Sequence, residues 1–241
     1  MLRTSVFLRK HRNLMRNVRE ITSTSHSSIS NHLLKNNIDL IFDIGANIGQ
    51  FGIDMRNNGF EGRLISYEPA SNLFRELCKT ARRHSPWDTF PIALGSSSGI
   101  GVLNLSGNRG LSSSLLEMNE THLYNFPDSF TIGREQVNIS TFDEQIDSLD
   151  ISPNSVLLKL DVQGYELEVL KGATTNLSKV PFCFLEVSLT PMYKNEASLV
   201  VLLNYLFAFG HEVIDIFRGI KSSNGELLQI DILTKNRNQE K

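Results

Sequence analysis

The sequence predicts an α/β fold in which helices cover both faces of a mostly parallel, seven-stranded sheet with a final antiparallel strand. Three observations support this prediction. Apolar runs of strand length alternate with helical segments from Ile38 onward, a glycine turn follows the first of these strands, and the last two apolar segments form a hairpin pattern. Strand–helix alternation is typical of parallel pairing, and the hairpin adds one strand of opposite direction.

The first strand–helix–strand unit also suggests a ligand site. An apolar strand over 38–42 leads into the turn 43–49, a helix over 50–57 and a second strand over 63–67, which ends at Glu68. Glycine in such a turn lets the backbone approach a ligand closely. An acid at the tip of the second strand can accept hydrogen bonds from both hydroxyls of a ribose. The unit therefore predicts a nucleoside site at the carboxyl edge of the sheet.

The turn differs from the dinucleotide-binding fingerprint. That fingerprint is G-x-G-x-x-G, and its middle glycine allows contact with a pyrophosphate. Here Asp43, Gly45 and Gly49 give D-x-G-x-x-x-G, and Asn47 stands where the middle glycine would be. This wider turn suits a ligand with a cationic group and no pyrophosphate, such as S-adenosylmethionine. A plain strand–helix turn without a nucleotide remains the structural alternative.

The remaining elements follow from the same patterns. We expect a helix over 71–83 with Ser71 as its N-cap, and Gly210 as the residue that ends the helix over 197–209. The segment 106–133 is rich in Ser, Asn and Gly and is predicted to be a long binding excursion or lid. The other predicted helices are 141–146 and 165–170, and the other predicted strands are 89–94, 101–105, 135–139, 155–161, 182–187, 211–217 and 227–233.

Four acids stand at strand ends, and these ends meet at one edge of a parallel sheet. They are Asp43, Glu68, Asp161 and Glu186. Asp161 and Glu186 together are expected either to hold a divalent cation or to act as general bases. Glu166 falls in the first turn of the next helix, where it compensates the helix dipole or contacts the substrate.

Histidine and cysteine do not suggest a metal site. No His/Cys cluster has the spacing of zinc ligands, so we assign no metal-binding residue, and whether Asp161 and Glu186 hold a divalent cation stays open. His84 and His122 are expected to be solvated. Cys78 and Cys183 lie far apart and are expected to be free thiols in a reducing compartment, which makes a cytoplasmic location the expectation.

Composition limits the possible partners. Of the 241 residues, 40% are hydrophobic and 21% are charged, and the net charge is −2. A folded core is therefore expected, and general nucleic-acid binding is not. No apolar run reaches the length of a transmembrane helix, and residues 1–20 lack the apolar region of a secretory signal. The expected partner is a small-molecule or glycan acceptor, and the oligomeric state stays open.

The N-terminal segment has a different character from the rest of the chain. Residues 1–20 contain six basic side chains and one acid, giving +5, so the remaining residues carry −7 to reach the overall −2. Its Arg- and Ser-rich composition is similar to that of an organelle transit peptide. We favour a basic helix over 5–19, a serine-rich linker from Ser23 to Ser30 and a second short helix. The predicted divisions are a basic helical extension over 1–36, the main domain over 37–235 and a polar tail over 236–241.

These residues resemble the FkbM family of S-adenosylmethionine-dependent methyltransferases. The resemblance covers about 38–217, and its longest motif is 158–172, which reads Leu-Lys-Leu-Asp-Val-Gln-Gly-Tyr-Glu-Leu-Glu-Val-Leu-Lys-Gly. The other matching segments are 39–49, 67–69, 93–95, Glu186 and 191–193. One departure from the family pattern is the pair Ser96 and Ser97, at the position after the third strand where many members have polar or acidic residues.

The resemblance implies a Rossmann-like class I methyltransferase sheet, S-adenosylmethionine as cofactor, and O-methylation of hydroxyl groups in glycans or secondary metabolites. Methyl transfer from a sulfonium mainly needs alignment, and a carboxylate in reach can take the hydroxyl proton. We expect Asp161 to be the catalytic acid, followed by Glu186 and then Glu166. The predicted cofactor-binding residues are Asp43, Gly45, Ala46, Asn47, Gly49, Glu68, Pro69, Ala93 and Leu94.

Two alternatives remain at the level of sequence. One is a nicotinamide-dependent oxidoreductase, which Asn47 and the lack of a Tyr-x-x-x-Lys pattern disfavour. The other is a non-catalytic nucleoside-binding module of the same fold. Such a module would be expected to have lost Asp43, Glu68 or Asp161, and all three are present.

Overall fold

The computed structural model describes residues 26–239, in which strands and helices alternate as predicted. The strands are β1 Leu40–Ile44, β2 Arg63–Tyr67, β3 Trp87–Phe90, β4 Ala93–Leu94, β5 Gly99–Ser106, β6 Thr131–Ser140, β7 Val156–Leu160, β8 Phe182–Ser188, β9 His211–Arg218 and β10 Gln229–Asn236. The helices are α1 26–35, α2 Gln50–Asn57, α3 Ser71–Ala81, α4 Glu120–Asn125, α5 Phe142–Ser148, α6 Glu166–Lys171 and α7 Leu199–Ala208.

The main sheet has seven strands within the described residues, in the spatial order β3-β2-β1-β7-β8-β10-β9. β1 pairs in parallel with β2 and with β7, and β7 pairs in parallel with β8. β10 runs antiparallel to both of its neighbours, β8 and β9. The predicted fold class, including the final antiparallel strand, is therefore confirmed.

Helices cover both faces of this sheet, as its apolar central strands require. Every residue of β1 and of β7 is buried, which matches their near-continuous apolar runs. Residues of α5, α6 and α7 join a core on one face, and residues of α1, α2 and α3 join a core on the other. The central strands carry their carboxyl ends to one edge, where the predicted site residues collect.

The predicted third strand, 89–94, is wrong as a single element. Residues Trp87–Phe90 form β3, at the edge of the main sheet beside β2. Ala93 and Leu94 form β4, which belongs to a separate three-stranded sheet with β5 and β6. Pro91 lies between the two strands and has no backbone N–H for a ladder bond, so the chain changes partner there.

Ser71 is not the N-cap of α3. The cap position is Ala70, whose backbone N–H donates to Glu68 Oε1 at 2.8 Å. The Ser71 N–H instead approaches the carboxylate of Glu135 at 3.3 Å. The carboxylate of Glu68 therefore accepts the backbone N–H at the cap position of this helix, and Ser71 does not act as the N-cap.

The N-terminal part of the described chain belongs to the core. Helix α1 spans 26–35, so residues 26–30 of the predicted linker are helical. Ile29 and Leu33 are fully buried against α2 and the sheet. Asn236, the first residue of the predicted polar tail, is also fully buried. The predicted boundaries at 36 and 235 stay predictions, and the predicted basic helix over 5–19 lies outside the described residues.

Core packing predicts that α1 contributes measurably to stability. Leu33→Ala should lower the free energy of unfolding by about 2–5 kcal/mol, because Leu33 is fully buried. Leu34→Ala is the matched control and should change it by less than about 0.5 kcal/mol, because Leu34 is 56% exposed. Urea unfolding followed by Trp87 fluorescence measures both. Equal effects of the two substitutions would show that α1 is not part of the folding unit.

Candidate active site

The turn after β1 is fastened to the end of β2. The backbone N–H groups of Gly45 and Ala46 both donate to the carbonyl of Tyr67, at 3.0 Å each. The N–H of Asn47 donates to Glu68 Oε2 at 2.8 Å. Asn47 has a φ of 51°, a left-handed conformation that Asn tolerates better than most residues. The structure therefore brings the predicted glycine turn and the predicted ribose acid together.

Gly45 is also the point at which the turn meets the end of β7. Its φ is +77°, and a Cβ built there would lie 2.0 Å from the carbonyl oxygen of Asp161. Any side chain would force the two segments apart. A glycine is thus required for the ends of β1 and β7 to share one edge.

Glu68 is buried but keeps capacity for further hydrogen bonds. It is 6% exposed, and it accepts the N–H groups of Asn47 and Ala70, one on each oxygen. Desolvation by burial raises its pKa to about 7, which these two N–H donors only partly oppose. A carboxylate offers about four acceptor sites. Two sites remain, which matches the two hydroxyls of a ribose, and the half-buried Pro69 continues the chain from this point.

Asp43 lies beneath the turn in a buried ion pair. Its side chain is fully buried, and its Oδ1 lies 2.8 Å from the Nζ of Lys159, whose side chain is 6% exposed. Ser66 donates to the other oxygen at 3.2 Å. The carboxylate of Asp43 therefore already has two partners, and its binding to the cofactor stays a prediction. Asp43 is linked to the turn through Lys159, whose Nζ also donates to the carbonyl of Gly45.

Lys159 is a site residue that sequence reasoning missed. Its Nζ donates to the carbonyl of Gly45 at 3.2 Å and lies 3.6 Å from Asp161 Oδ2. Burial alone would lower its pKa, but the carboxylates of Asp43 and Asp161 outweigh burial and raise it. The available signal was a lysine inside the apolar run 156–160, opposite Asp43 in the parallel register.

Asp161 and Glu186, the two leading catalytic candidates, share one amide. Nε2 of Gln163 donates to Asp161 Oδ1 at 2.9 Å and to Glu186 Oε2 at 2.7 Å. The side chain of Asp161 is 41% exposed, so a substrate can reach it. Burial, together with the nearby charges of Asp161 and Asp231, raises the pKa of Glu186. Asp231 pairs with Glu186 across β8 and β10, and burial raises its pKa to about 7.

Glu166, the third catalytic candidate, points at its own loop. It is 3% exposed, and its Oε1 accepts the N–H groups of Val162 at 3.1 Å and Gly164 at 3.2 Å. Burial raises its pKa to about 8. We interpret Glu166 as a clamp that closes the loop after β7, and a catalytic role for it stays a prediction.

The long excursion reaches back to this loop. Ser114 Oγ donates to the carbonyl of Gln163 at 2.8 Å. The hydroxyl of Tyr193 lies 2.8 Å from Gln163 Oε1 and 3.1 Å from the carbonyl of Ser112. Three segments that are far apart in sequence therefore meet at Gln163. Sequence reasoning had no local signal for these contacts beyond the position of Gln163 before a glycine.

His122 is not solvated as expected. It is 2% exposed, and among the described residues neither ring nitrogen has a hydrogen-bond partner. Its ring contacts those of Phe126 and Tyr193 at centroid distances of 5.2 and 5.0 Å. Burial lowers its pKa to about 4. His84 is half-buried beside Trp87.

Ala93 and Leu94 belong to the three-stranded sheet, whereas the turn follows a strand of the main sheet. Both are buried in β4, three and four residues beyond Phe90, whose carbonyl accepts the N–H of Glu68 at 3.1 Å. Gly49 caps α2 with a φ of 93° and lies next to Trp87. A direct role of Ala93, Leu94 and Gly49 in ligand binding stays a prediction.

Two further findings concern metals and membranes. Within residues 26–239, no group of three or more His, Cys, Asp or Glu side chains has a geometry that could hold a metal ion. In the same range no helix is both long enough and apolar enough to cross a membrane.

Comparison with known proteins identifies a family. Residues 43–220 match the model of the methyltransferase FkbM domain. The chain is 30% identical over 149 residues to hexuronic acid methyltransferase AglP of Haloferax volcanii. That match covers 62% of this chain and 56% of the relative, so the chain spans little more than half the length of that protein.

The chain also shows a weak overall similarity to two solved structures. Magnesium protoporphyrin IX methyltransferase of Synechocystis PCC 6803, solved with bound S-adenosylmethionine, gives a TM-score of 0.49 at 11% identity, covering 92% of this chain and 83% of that one. The 1,6-didemethyltoxoflavin-N1-methyltransferase of Burkholderia thailandensis gives a TM-score of 0.47 at 12% identity, covering 98% and 87%.

The buried ion pair predicts strong energetic coupling. Lys159→Met should lower the free energy of unfolding by about 3–5 kcal/mol, because Asp43 would keep a buried charge without its partner. Adding Asp43→Asn to Lys159→Met should restore part of this loss, and chemical unfolding of both variants measures the coupling. Lys79→Met provides the control, since the Lys79–Glu76 pair is more than half exposed and should contribute less than about 1 kcal/mol. A Lys159→Met protein as stable as the Lys79→Met control would contradict the role assigned to the pair.

The clamp assigned to Glu166 predicts a pH dependence. In the native protein the pKa of Glu166 is raised from 4.5 to about 8. Between these two pH values the native carboxyl keeps its proton, whereas the same carboxyl in the unfolded chain has lost it. Stability should therefore fall as pH rises from about 4.5 to 8. Glu166→Gln keeps an acceptor oxygen for both loop N–H groups and does not ionise, so the fall should become shallower. Urea unfolding at several pH values, with Glu168→Gln on the same helix as control, measures this, and parallel pH profiles of wild type and Glu166→Gln would contradict it.

Proposed function

Because this chain belongs to the FkbM family of S-adenosylmethionine-dependent methyltransferases, we propose that it methylates a hydroxyl oxygen of a sugar, a glycan or a secondary metabolite. The observation that carries the proposal is the partly exposed carboxylate of Asp161, which stands beside the buried Lys159 at the edge where the cofactor turn lies. A hydroxyl acceptor needs a base in reach, and Asp161 supplies one.

The cofactor site supports this proposal through the chemistry of its donors and acceptors. Glu68 retains two acceptor positions for the ribose hydroxyls, and the turn over 45–49 presents backbone without large side chains at Gly45 and Ala46. Lys159, which is paired with Asp43, donates a hydrogen bond to the carbonyl of Gly45 in that turn. Glu68 would therefore bind the ribose, and the turn would lie along the rest of the cofactor.

When bound, S-adenosylmethionine supplies an activated methyl group on a sulfonium. The chain has to position the acceptor oxygen in line with that methyl group, and it has to remove the proton from that oxygen. Asp161 follows β7 directly and reaches solvent, so its carboxylate can hydrogen-bond an acceptor hydroxyl and take the proton. The Lys159 ammonium, 3.6 Å from Asp161 Oδ2, stabilises the negative charge of the base before the transfer.

The charge at this edge favours a hydroxyl acceptor over an acidic one. Asp161, Glu186 and Asp231 stand close together, and Lys159 divides its charge between Asp43 and Asp161. A carboxylate acceptor would need no base for its own methylation and would be repelled by these acids. We therefore propose an uncharged hydroxyl acceptor, although the named relative is a hexuronic acid methyltransferase.

The state of the cysteines supports the expected setting. Cys183 is buried in β8 and Cys78 is a free thiol on α3. Free thiols persist in reducing compartments. We propose a cytoplasmic location on this basis.

An acceptor screen tests the proposal directly. Purified protein, S-adenosylmethionine with a labelled methyl group, and matched acceptors (alkyl glucosides and the corresponding glucuronides) should give label transfer mainly to the uncharged glycosides. The labelled product should resist mild base, as an ether does and a methyl ester does not. Base-labile label on the glucuronides would overturn the proposal of a hydroxyl acceptor.

The role of Asp161 gives a second arm of the same test. Asp161→Asn should keep the fold and most of the affinity for S-adenosylhomocysteine but lose roughly 10²–10⁴ in turnover, the usual contribution of acid–base catalysis. Glu68→Gln should show the opposite pattern, with weaker binding of S-adenosylhomocysteine in calorimetric titrations. A stable and fully active Asp161→Asn protein would remove Asp161 from the mechanism.

A further inference from the structure

Gln163 occupies a costly backbone conformation. Its φ is 56°, in the left-handed region that residues other than Gly, Asn and Asp rarely adopt. Such a conformation costs roughly 1 kcal/mol or more and persists where the surroundings hold it. The Ser114 hydroxyl fixes the Gln163 carbonyl, and the side chain of Gln163 makes three further contacts. A glycine would form this turn without strain, so the presence of glutamine indicates that its side-chain hydrogen bonds matter.

The orientation of the Gln163 amide is determined by Asp161. A charged carboxylate only accepts, and its Oδ1 stands 2.9 Å from the amide, so the NH₂ group faces Asp161. Oε1 then faces the Tyr193 hydroxyl at 2.8 Å, and that hydroxyl shares its one hydrogen between Oε1 and the carbonyl of Ser112 at 3.1 Å. Tyr193 is 1% exposed, and burial raises its pKa, so it remains a neutral donor. With Oε1 facing the phenol, the amide NH₂ must face the opposite direction. Its two hydrogens are then available for two acceptors.

Both acceptors are the candidate catalytic carboxylates. One nitrogen lies 2.9 Å from Asp161 Oδ1 and 2.7 Å from Glu186 Oε2. Two carboxylates on one nitrogen would repel each other if both were charged. Gln229 donates a further hydrogen bond to Glu186 Oε2 at 3.1 Å, so the inner acid is held from two sides.

We propose that Gln163 is a positioning residue for methyl transfer, whose amide sets the distance and orientation of Asp161 and Glu186 relative to the acceptor hydroxyl. Asp161 is then the base, and Glu186 is the inner acid that retains a proton. The catalytic role of Gln163 rests on the proposed O-methylation, whereas its contacts with the two acids do not depend on that proposal.

The groups that face the two acids favour this division. Asp161 is partly exposed and lies beside the Lys159 ammonium, and water and ammonium both stabilise its negative charge. Glu186 is faced by Asp161, by Asp231 across the strand pair and by Glu166 from α6, and the Lys159 ammonium acts on it less than on Asp43 and Asp161. A proton on Glu186 relieves repulsion among these acids, whereas a proton on Asp161 would leave the Lys159 ammonium with one carboxylate fewer.

The test compares Gln163→Met and Gln163→Glu with wild type in the full chain, bound to S-adenosylhomocysteine. Methionine fills a similar volume without donors, and glutamate keeps an acceptor for Tyr193 but adds a third charge. Carboxyl ¹³C NMR, with Asp161 and Glu186 resonances assigned from Asp161→Asn and Glu186→Gln spectra, gives the titration midpoints. Loss of the donors should raise the midpoint of Glu186 by about one pH unit in Gln163→Met, and Gln163→Glu should raise it further.

Ser114→Ala separates positioning from loop support. It removes the hydrogen bond to the Gln163 carbonyl and leaves the amide in place. It should lower the melting temperature without moving the carboxyl midpoints. If Gln163→Met does not fold, Tyr193→Phe replaces it, because loss of the phenol hydroxyl frees the amide to rotate and should move the midpoints in the same direction.

Turnover with a hydroxyl acceptor supplies the catalytic readout. Gln163→Met should lower kcat about 10–100-fold with the KM for S-adenosylmethionine unchanged, and the acid limb of its pH profile should move upward with the NMR midpoints. Unchanged midpoints in Gln163→Met, or midpoints that move equally in Ser114→Ala, would overturn the role of Gln163. These midpoints need no acceptor, so a failed acceptor screen would overturn the proposed function and leave this measurement intact.

Discussion

A lysine ammonium held between two aspartates inside the sheet is the interaction on which the site depends. Lys159 joins Asp43 at the end of β1 to Asp161 after β7, and it also fixes the carbonyl of Gly45 in the cofactor turn. A charge this deeply buried is costly unless it is paired. The pairing therefore links the ends of the two central strands to the turn over 45–49 and to Asp161, the acid proposed to face the acceptor.

The acids at this edge share a residue type but not a role, because their surroundings differ. Glu68 accepts one N–H group from the turn over 45–49 and one from the start of α3, and Glu166 accepts two N–H groups from the loop that follows β7. Both are buried, and burial raises the pKa of each. Asp161 alone among the three proposed catalytic acids combines a large exposed fraction with a cation in reach. The surroundings of each acid thus separate the proposed base, Asp161, from the two acids that accept hydrogen bonds from the loops.

The proposed acceptor side of the site is assembled from segments that are remote in sequence. The excursion after β5 contributes Ser112 and Ser114, and the loop after β8 contributes Tyr193, whose hydroxyl reaches both the excursion and Gln163. The loop after β7 is thus held by hydrogen bonds from both of these segments and by the carboxylate of Glu166. Rigid support of this kind places a carboxylate accurately, which methyl transfer requires more than it requires strong acid–base chemistry.

The sequence by itself determined the order of strands and helices, the glycine turn with Glu68 and the family, because periodicity and short motifs are local properties. β2 and α2 begin and end where the patterns predict. Only the tertiary structure decided that β3 ends before Pro91, that Lys159 pairs with Asp43, that Glu166 turns inward and that Gln163 joins two acids. Those outcomes depend on which strands become neighbours and on how much water reaches each charge, and neither quantity is encoded in a stretch of adjacent residues.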